Sequence, residues 1–343
     1  MHSVSLPTCS IDDADSDLYR QRIIAAKKQL GDKVMILGHH YQRDSIIEHA
    51  DETGDSFLLA RKAADSSAES IVFCGVHFMA ESADILTSDK QSVVMPNIRA
   101  GCSMADMADL PDVEACWNEL LNECQLNDPA TRENPDSPAL KGEAYLVPVT
   151  YMNSSADLKA FVGYHGGVVC TSSNAAGVLE WALERAGENG KVLFFPDQHL
   201  GRNTALAMGY QDDDIAVWNP MLKPDWNDLN SSKFVLWHGY CSVHQRFTVE
   251  QIDDLRKENP GALVIAHPEC DRAVVDAADA SGSTEMIRRY VADAPSGAVI
   301  GVGTEIHLVK RLNAQYLDKT VVCLDPGLCP CSTMYIIHPA FLA

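Results

Sequence analysis

The sequence predicts an α/β fold of three small αβα sandwiches with parallel sheets, and two observations predict it. A short apolar strand, a turn rich in small or polar residues and an amphipathic helix recur about nine times, and the recurrences fall into three groups. Strands that alternate with longer helices imply parallel pairing. A parallel pair needs a crossover connection, and the crossover helices shield both faces of the sheet.

The first group holds Val34 to Leu37 before His39, Ile71 to Cys74 before a helix near Phe78 to Leu86, and Val93 to Met95 leading to Cys102. An acidic stretch with Asn and Pro at about 122 to 142 follows and reads as a surface insertion. The second group holds Tyr145 to Val149 before Tyr151, Val168 to Cys170 before Thr171, and Val192 to Phe195 before Pro196. The third holds Phe234 to Trp237 before Cys241, Leu263 to Ala266 before His267, and Val299 to Val302 before Thr304. Helical periods agree with this reading. After Thr248, Ile252 and Leu255 face inward while Glu250, Asp253, Asp254 and Lys257 face water, and Pro260 ends the helix ahead of Gly261.

With 343 residues, 46% of them hydrophobic, the chain can bury sizeable cores. Its 27 Lys and Arg against 48 Asp and Glu give a formal charge of −21, which repels nucleic acid and acidic membrane surfaces. An anionic ligand must therefore meet a locally arranged site. No window reaches the roughly 18 apolar residues of a membrane helix, and Asp12, Asp13, Asp15 and Asp17 do not suit a signal peptide. A cytoplasmic protein is expected.

Eleven cysteines are an odd number and are scattered, which argues against a disulfide scaffold. Cys74, Cys170 and Cys323 lie in strand-like runs and read as small hydrophobes. Cys102, Cys241 and Cys331 each fall near a unit boundary. If the units meet around a shared axis, these three thiolates suit a [4Fe–4S] cluster with one iron left open, or a zinc ion. No CxxC pair is present, and Cys329-Pro330-Cys331 holds its thiols too close for a zinc knuckle or a ferredoxin. Spacing alone leaves both metals open.

In parallel α/β folds, ligands bind beyond the carboxyl ends of the strands, where loops and helix N-termini present free backbone donors. His39, Tyr41, Tyr151, Asn153, Ser172, His244, His267, Glu269 and Thr284 all follow apolar strands or open helices. Each alone could be a cap or turn residue; their joint placement marks them as candidates.

At this point the motifs resemble the quinolinate synthase family, in order, over about 300 residues. In the first unit the resemblance rests on Gly38-His39-His40-Tyr41-Gln42, Asp51-Glu52-Thr53-Gly54-Asp55-Ser56, Phe78-Met79-Ala80-Glu81 and Gly101-Cys102-Ser103. In the second it rests on Tyr151-Met152-Asn153-Ser154-Ser155, Thr171-Ser172-Ser173-Asn174 and Pro196-Asp197-Gln198-His199-Leu200-Gly201-Arg202. The third contributes Trp237-His238-Gly239-Tyr240-Cys241-Ser242-Val243-His244, His267-Pro268-Glu269, Gly282-Ser283-Thr284 and Gly303-Thr304-Glu305, and the tail contributes Cys329-Pro330-Cys331-Ser332-Thr333-Met334.

The resemblance implies three pseudo-symmetric three-layer αβα sandwich domains around a central active site. The expected units are 20–105, completed by 316–343; 106–215, with the insertion; and 216–315. It implies one [4Fe–4S] cluster per chain on Cys102, Cys241 and Cys331. Cys331 is preferred to Cys329 because the family ligand precedes a residue pair and then Met, here Met334. The implied reaction joins iminosuccinate to dihydroxyacetone phosphate, giving quinolinate, phosphate and two waters. Pathway logic alone adds a transient contact with an aspartate-oxidising enzyme.

The implied substrate contacts are His39, Ser56, Tyr151, Met152, Asn153, Ser172, His244, His267, Pro268, Glu269, Ser283 and Thr284. The motifs hold few Lys or Arg, so hydroxyls, imidazoles and helix N-termini must meet the anions. Repeated proton transfers need general acids and bases, for which Tyr41, His267 and Glu269 are the candidates. His244 reads equally as a substrate contact or as a partner of the cluster sulfur; His199 reads as a loop residue, and Met79, Met95 and Met104 as packing. The chain stops twelve residues after Cys331, where similar proteins often continue into a helical tail, so truncation and incomplete closure of the tail stay open. The rival classes are a cluster-bearing sensor with no small-molecule site, a zinc hydrolase or lyase on the same thiolates, and a plain binding protein that leaves the cysteines unexplained.

Overall fold

A computed structural model of the chain describes residues 16–343 except Asp136, Pro326, Leu328 and Cys329. Asp12, Asp13 and Asp15, and the comparison of Cys329 with Cys331, lie outside the described residues. The first sheet holds β1 (Val34–His39), β2 (Glu52–Gly54), β3 (Ser70–Cys74) and β4 (Ser92–Val94), in the order β2-β1-β3-β4. The second holds β5 (Leu146–Tyr151), β6 (Val168–Cys170), β7 (Lys191–Phe195), β8 (Ile215–Trp218) and β9 (Phe234–Trp237), in the order β6-β5-β7-β9-β8. The third holds β10 (Leu263–Ala266), β11 (Ala280–Ser281), β12 (Val299–Gly303) and β13 (Thr320–Cys323), in the order β11-β10-β12-β13. Every strand pair among the described residues is parallel. Helices flank the sheets, as the alternating pattern requires. Among the described residues no helix is long and apolar enough to cross a membrane.

Two strands change company. The sequence grouping starts the third unit at 216, but β8 and β9 both lie in the second sheet, β9 pairing with β7 and β8. Burial explains this. Phe234 and Leu236 enter one apolar core while Val235 and Trp237 enter the other, so both faces of β9 are covered only within the second sheet.

The first and third sheets repeat each other in detail. Ile36 N–H donates to Asp51 Oδ2 at 2.8 Å, and Val264 N–H donates to Asp279 Oδ2 at 2.7 Å. One turn later, Tyr41 N–H donates to His39 Nδ1 at 3.1 Å and Glu269 N–H to His267 Nδ1 at 3.3 Å. The helix read from the sequence after Thr248 is Val249–Glu258, with a Thr248–Gln251 capping box and Ile252 buried.

The 122–142 stretch runs along the surface but is pinned to the second unit. Leu126 and Pro129 are buried, Asn127 bridges to Tyr145, and Asp128 meets His165 at 2.7 Å. Cys116, at its edge, is fully buried. Of the segment 316–343 expected to complete the first unit, β13 instead pairs with β12 in the third sheet, and the residues after it return to the first unit. Arg43 lies 3.8 Å over the Tyr335 ring and donates to its carbonyl at 2.6 Å, and Gln42 Nε2 donates to Met334 Sδ at 3.4 Å. The helix Pro339–Leu342 packs on the helix Ser16–Leu30.

Gly239 lets the chain after β9 press against Pro196 and Asp197: its carbonyl accepts Gln198 N–H at 3.0 Å, and a Cβ there would collide with the Pro196 carbonyl. That contact aims the loop carrying Cys241. Gly239→Ala is expected to lower unfolding stability by about 1 to 3 kcal/mol, the usual cost of forced overpacking. Urea denaturation measures it, and an unchanged midpoint refutes the close-contact account.

Candidate active site

The carboxyl ends of β1, β5, β10 and β12 supply the side chains that converge. Tyr41, after β1, shares a 2.7 Å hydrogen bond with the Thr304 hydroxyl, at the end of β12. The same hydroxyl lies 3.2 Å from His244 Nε2. His244 Nδ1 faces Glu269 Oε2 at 2.9 Å, and Tyr151, at the end of β5, donates its hydroxyl proton to Glu269 Oε1 at 2.8 Å. His267 stacks on His244 with ring centres 4.6 Å apart. One buried chain thus runs Tyr41, Thr304, His244, Glu269, Tyr151, drawing on all three sheets.

Burial sets the protonation states. Burial alone would raise the Glu269 carboxyl, but His244, His267 and the Tyr151 hydroxyl hold it down to about 2. Burial also pushes His267 down to about 3, so it is neutral near pH 7. The Tyr151 hydroxyl supports Glu269 at that pH without carrying a charge. Asp197, fully buried and accepting Leu200 N–H at 2.7 Å, is pushed up by burial and by Glu269, so Glu269 is the one of the two that ionises. Tyr41 and Tyr151 are raised well above their usual range, first by burial and then by Glu269, and both stay protonated.

The three thiols singled out in the sequence stand beside this chain. Each opens a helical turn, and the thiols of Cys102, Cys241 and Cys331 receive the backbone N–H groups of Ala105, His244 and Met334, each three residues on. All three pack on the same apolar core. Burial pushes Cys102 up to about 12 and raises the other two, and the charges of Cys102 and Cys331 act on Cys241. Three partly buried thiols, with Cys331 raising Cys102 and both raising Cys241, and each facing N–H donors, are a donor set that a cationic iron–sulfur centre would relieve.

The remaining sequence candidates divide. Ser172, Pro268 and Ser283 line a cleft of about 490 Å³ between the second and third units, together with Asn203 and Arg289. His39 is buried close enough to Glu269 to feel its charge. Ser56 and Thr284 open helices, Thr284 buried and Ser56 partly exposed, while Met152 is buried and Asn153 half-buried in the turn after β5. Among the described residues no hydrogen bond joins these last four to the buried chain. Thr304, in Gly303-Thr304-Glu305, and Asp197, in Pro196-Asp197-Gln198, join the site although the sequence does not single them out as candidates. Their strand-end positions were the available signal.

A family model described as "Quinolinate synthetase A protein" (NadA) matches residues 21–343. A quinolinate synthase of Corynebacterium glutamicum is 58% identical over 334 residues, covering 96% of this chain and 79% of that protein. One of Streptomyces coelicolor is 51% identical over 329 residues (94% and 78%), and one of Acidobacterium capsulatum is 47% identical over 352 residues (100% and 86%).

The buried imidazoles give the fold a pH dependence. Burial, then Arg288 and Arg311, push His40 down to about 3, beside His267 at about 3, against about 6.5 in an unfolded chain. Between these values the unfolded chain binds more protons, so stability is full above about pH 6.5 and falls as pH drops toward 3. Thermal melts from pH 7.5 to 4 are expected to show Tm falling below pH 6.5, more shallowly in His40→Gln. An unaltered slope in that variant refutes the assignment.

Proposed function

The chain belongs to the quinolinate synthase family, and from that premise we propose that it condenses iminosuccinate with dihydroxyacetone phosphate into quinolinate, phosphate and two waters. The family is one of enzymes of NAD biosynthesis that act on small molecules, and it implies an iron–sulfur cofactor. The finer reading assigns one [4Fe–4S] cluster per chain to Cys102, Cys241 and Cys331. Such a cluster, bound with one iron open, supplies a Lewis acid for a substrate hydroxyl or carboxylate. A cytoplasmic location and a transient contact with an aspartate-oxidising supplier of the imine belong to the same reading.

The protein's own groups then take defined parts. Glu269, ionised and oriented by Tyr151, removes protons from substrate carbon. Tyr41 keeps its proton and acts as an acid, with Thr304 fixing its hydroxyl. In His39 and His267 the Nδ1 atom accepts a backbone N–H, so the proton of each neutral ring sits on Nε2 and can be donated to an anion. Anion binding falls to those imidazoles, to the Ser56, Ser172, Ser283 and Thr284 hydroxyls, and to the N-termini of the helices Ser56–Asp65 and Thr284–Asp293. Met152, Asn153 and Pro268 shape the walls.

The observation that carries this reading is the meeting of three mutually interacting thiols with a buried, ionised carboxylate that hydroxyls and imidazoles surround. An anaerobic assay for quinolinate tests it. Cys102→Ala, Cys241→Ala and Cys331→Ala are expected to lose activity together with iron and sulfide, whereas Cys329→Ala keeps both. An active Cys331→Ala beside a dead Cys329→Ala overturns the ligand assignment. Glu269→Gln is expected to lower kcat by about 100- to 10,000-fold, the usual worth of a general base, with iron and sulfide content unchanged. A kcat within a few-fold of wild type, by the same scale, removes Glu269 from the chemistry.

A further inference from the structure

Cys241, His244 and Glu269 form a grouping of their own inside the site. The thiol sulfur, an imidazole nitrogen and a carboxylate oxygen all lie within 4.8 Å of one another, and His244 and Glu269 are 1% and 3% exposed. We propose that, when the chain holds no cluster, these three residues bind a single divalent cation of the zinc class.

The donor chemistry selects that class. One sulfur, one nitrogen and one oxygen with a fourth position open is the ligand pattern of zinc sites that keep a water, and it suits neither calcium nor magnesium. The geometry is close to what is needed. In a tetrahedral zinc site, neighbouring ligand atoms sit roughly 3.4 to 3.6 Å apart, so rotation of the thiol and a small parting of His244 from Glu269 complete the cage.

The outer partners are already in place, which separates a built site from a chance cluster. Nδ1 of His244 is buried and faces Glu269 Oε2 at 2.9 Å, while Nε2 is held by the Thr304 hydroxyl at 3.2 Å. The other oxygen of Glu269 is held by Tyr151 at 2.8 Å. Metal-bound imidazoles and carboxylates are commonly fixed from behind in this way. On binding, the Cys241 thiol proton leaves to solvent and its sulfur becomes a ligand. Cys241 cannot serve the ion and a cluster at once, so each excludes the other, and the ion also occupies the carboxylate needed as base.

The experiment is an anaerobic titration of the full-length chain, freed of cluster and kept reduced, with Co²⁺ and then Zn²⁺. One equivalent of Co²⁺ is expected to produce tetrahedral d–d bands and a sulfur-to-cobalt charge-transfer band, both erased by Zn²⁺. Cys241→Ser abolishes the sulfur band. His244→Ala and Glu269→Gln weaken binding by at least about tenfold, the loss that even an outer partner of a metal ligand brings, whereas Cys102→Ser and Cys331→Ser stay within about twofold. Equal losses in Cys102→Ser or Cys331→Ser overturn the proposal, because the ion would then sit among the cluster thiols. Unchanged binding in His244→Ala overturns it too. Circular dichroism of each variant identifies unfolding, and His244→Gln replaces His244→Ala should that variant unfold. Iron and sulfide in the reconstituted wild type test the cluster reading separately, since either result can fail without the other.

Discussion

A buried carboxylate is the constraint on which the site depends. Glu269, 3% exposed, would be costly to bury with its charge unmatched. Its matching groups come from elsewhere in the chain: the Tyr151 hydroxyl from the second sheet, and His244, from the loop after β9, held in turn by Thr304 and, through it, by Tyr41 of the first sheet. No single unit satisfies Glu269. The cost of leaving it unpaired therefore acts on the docking of all three sheets, and the same contacts fix Tyr41, Tyr151 and His244 around Glu269, beside the Cys241 thiol.

Repetition explains how such a site is assembled from ordinary parts. His39 and His267 end equivalent strands, and each accepts the N–H of the residue two positions on. Asp51 and Asp279 tie equivalent strands from below in the same manner. The three cysteines repeat a third local device, a thiol at the mouth of a helical turn facing an N–H three residues later. A neutral imidazole with Nδ1 accepting a backbone N–H and the proton on Nε2 is thus built twice, once in the first unit and once in the third.

Much of this was legible in the sequence, and what was not has physical reasons. The long buried strands, such as β5 with all six residues inside, announce themselves by composition. The edge strands β2 and β11 escaped the strand–turn–helix reading because Glu52-Thr53-Gly54 and Ala280-Ser281 are not apolar runs, whereas β4 and β6, as short, are apolar enough to be read. Strand β9 was grouped with the wrong unit because its register with β7 is a property of packing on both faces, which no local pattern encodes. Tyr41, Tyr151 and Glu269 could be picked out because strand-end positions are a rule of parallel sheets. Thr304 carries the same strand-end signal, but its part in the site does not follow from it, because its partners lie 263 and 60 residues away. The outer ring of a site is hidden from sequence because it is made of pairings, not of residue types.

The docking of Cys331 through the neighbouring Met334 and Tyr335 onto Gln42 and Arg43 orders events in the life of the chain. The first two thiols emerge with their own sheets, but the third follows every strand among the described residues and reaches the centre only when its short helix latches onto the unit made first. Under the proposed ligand set, a core packed before that latch closes would hold two of the three thiols, and a cluster could be completed only once the tail has docked.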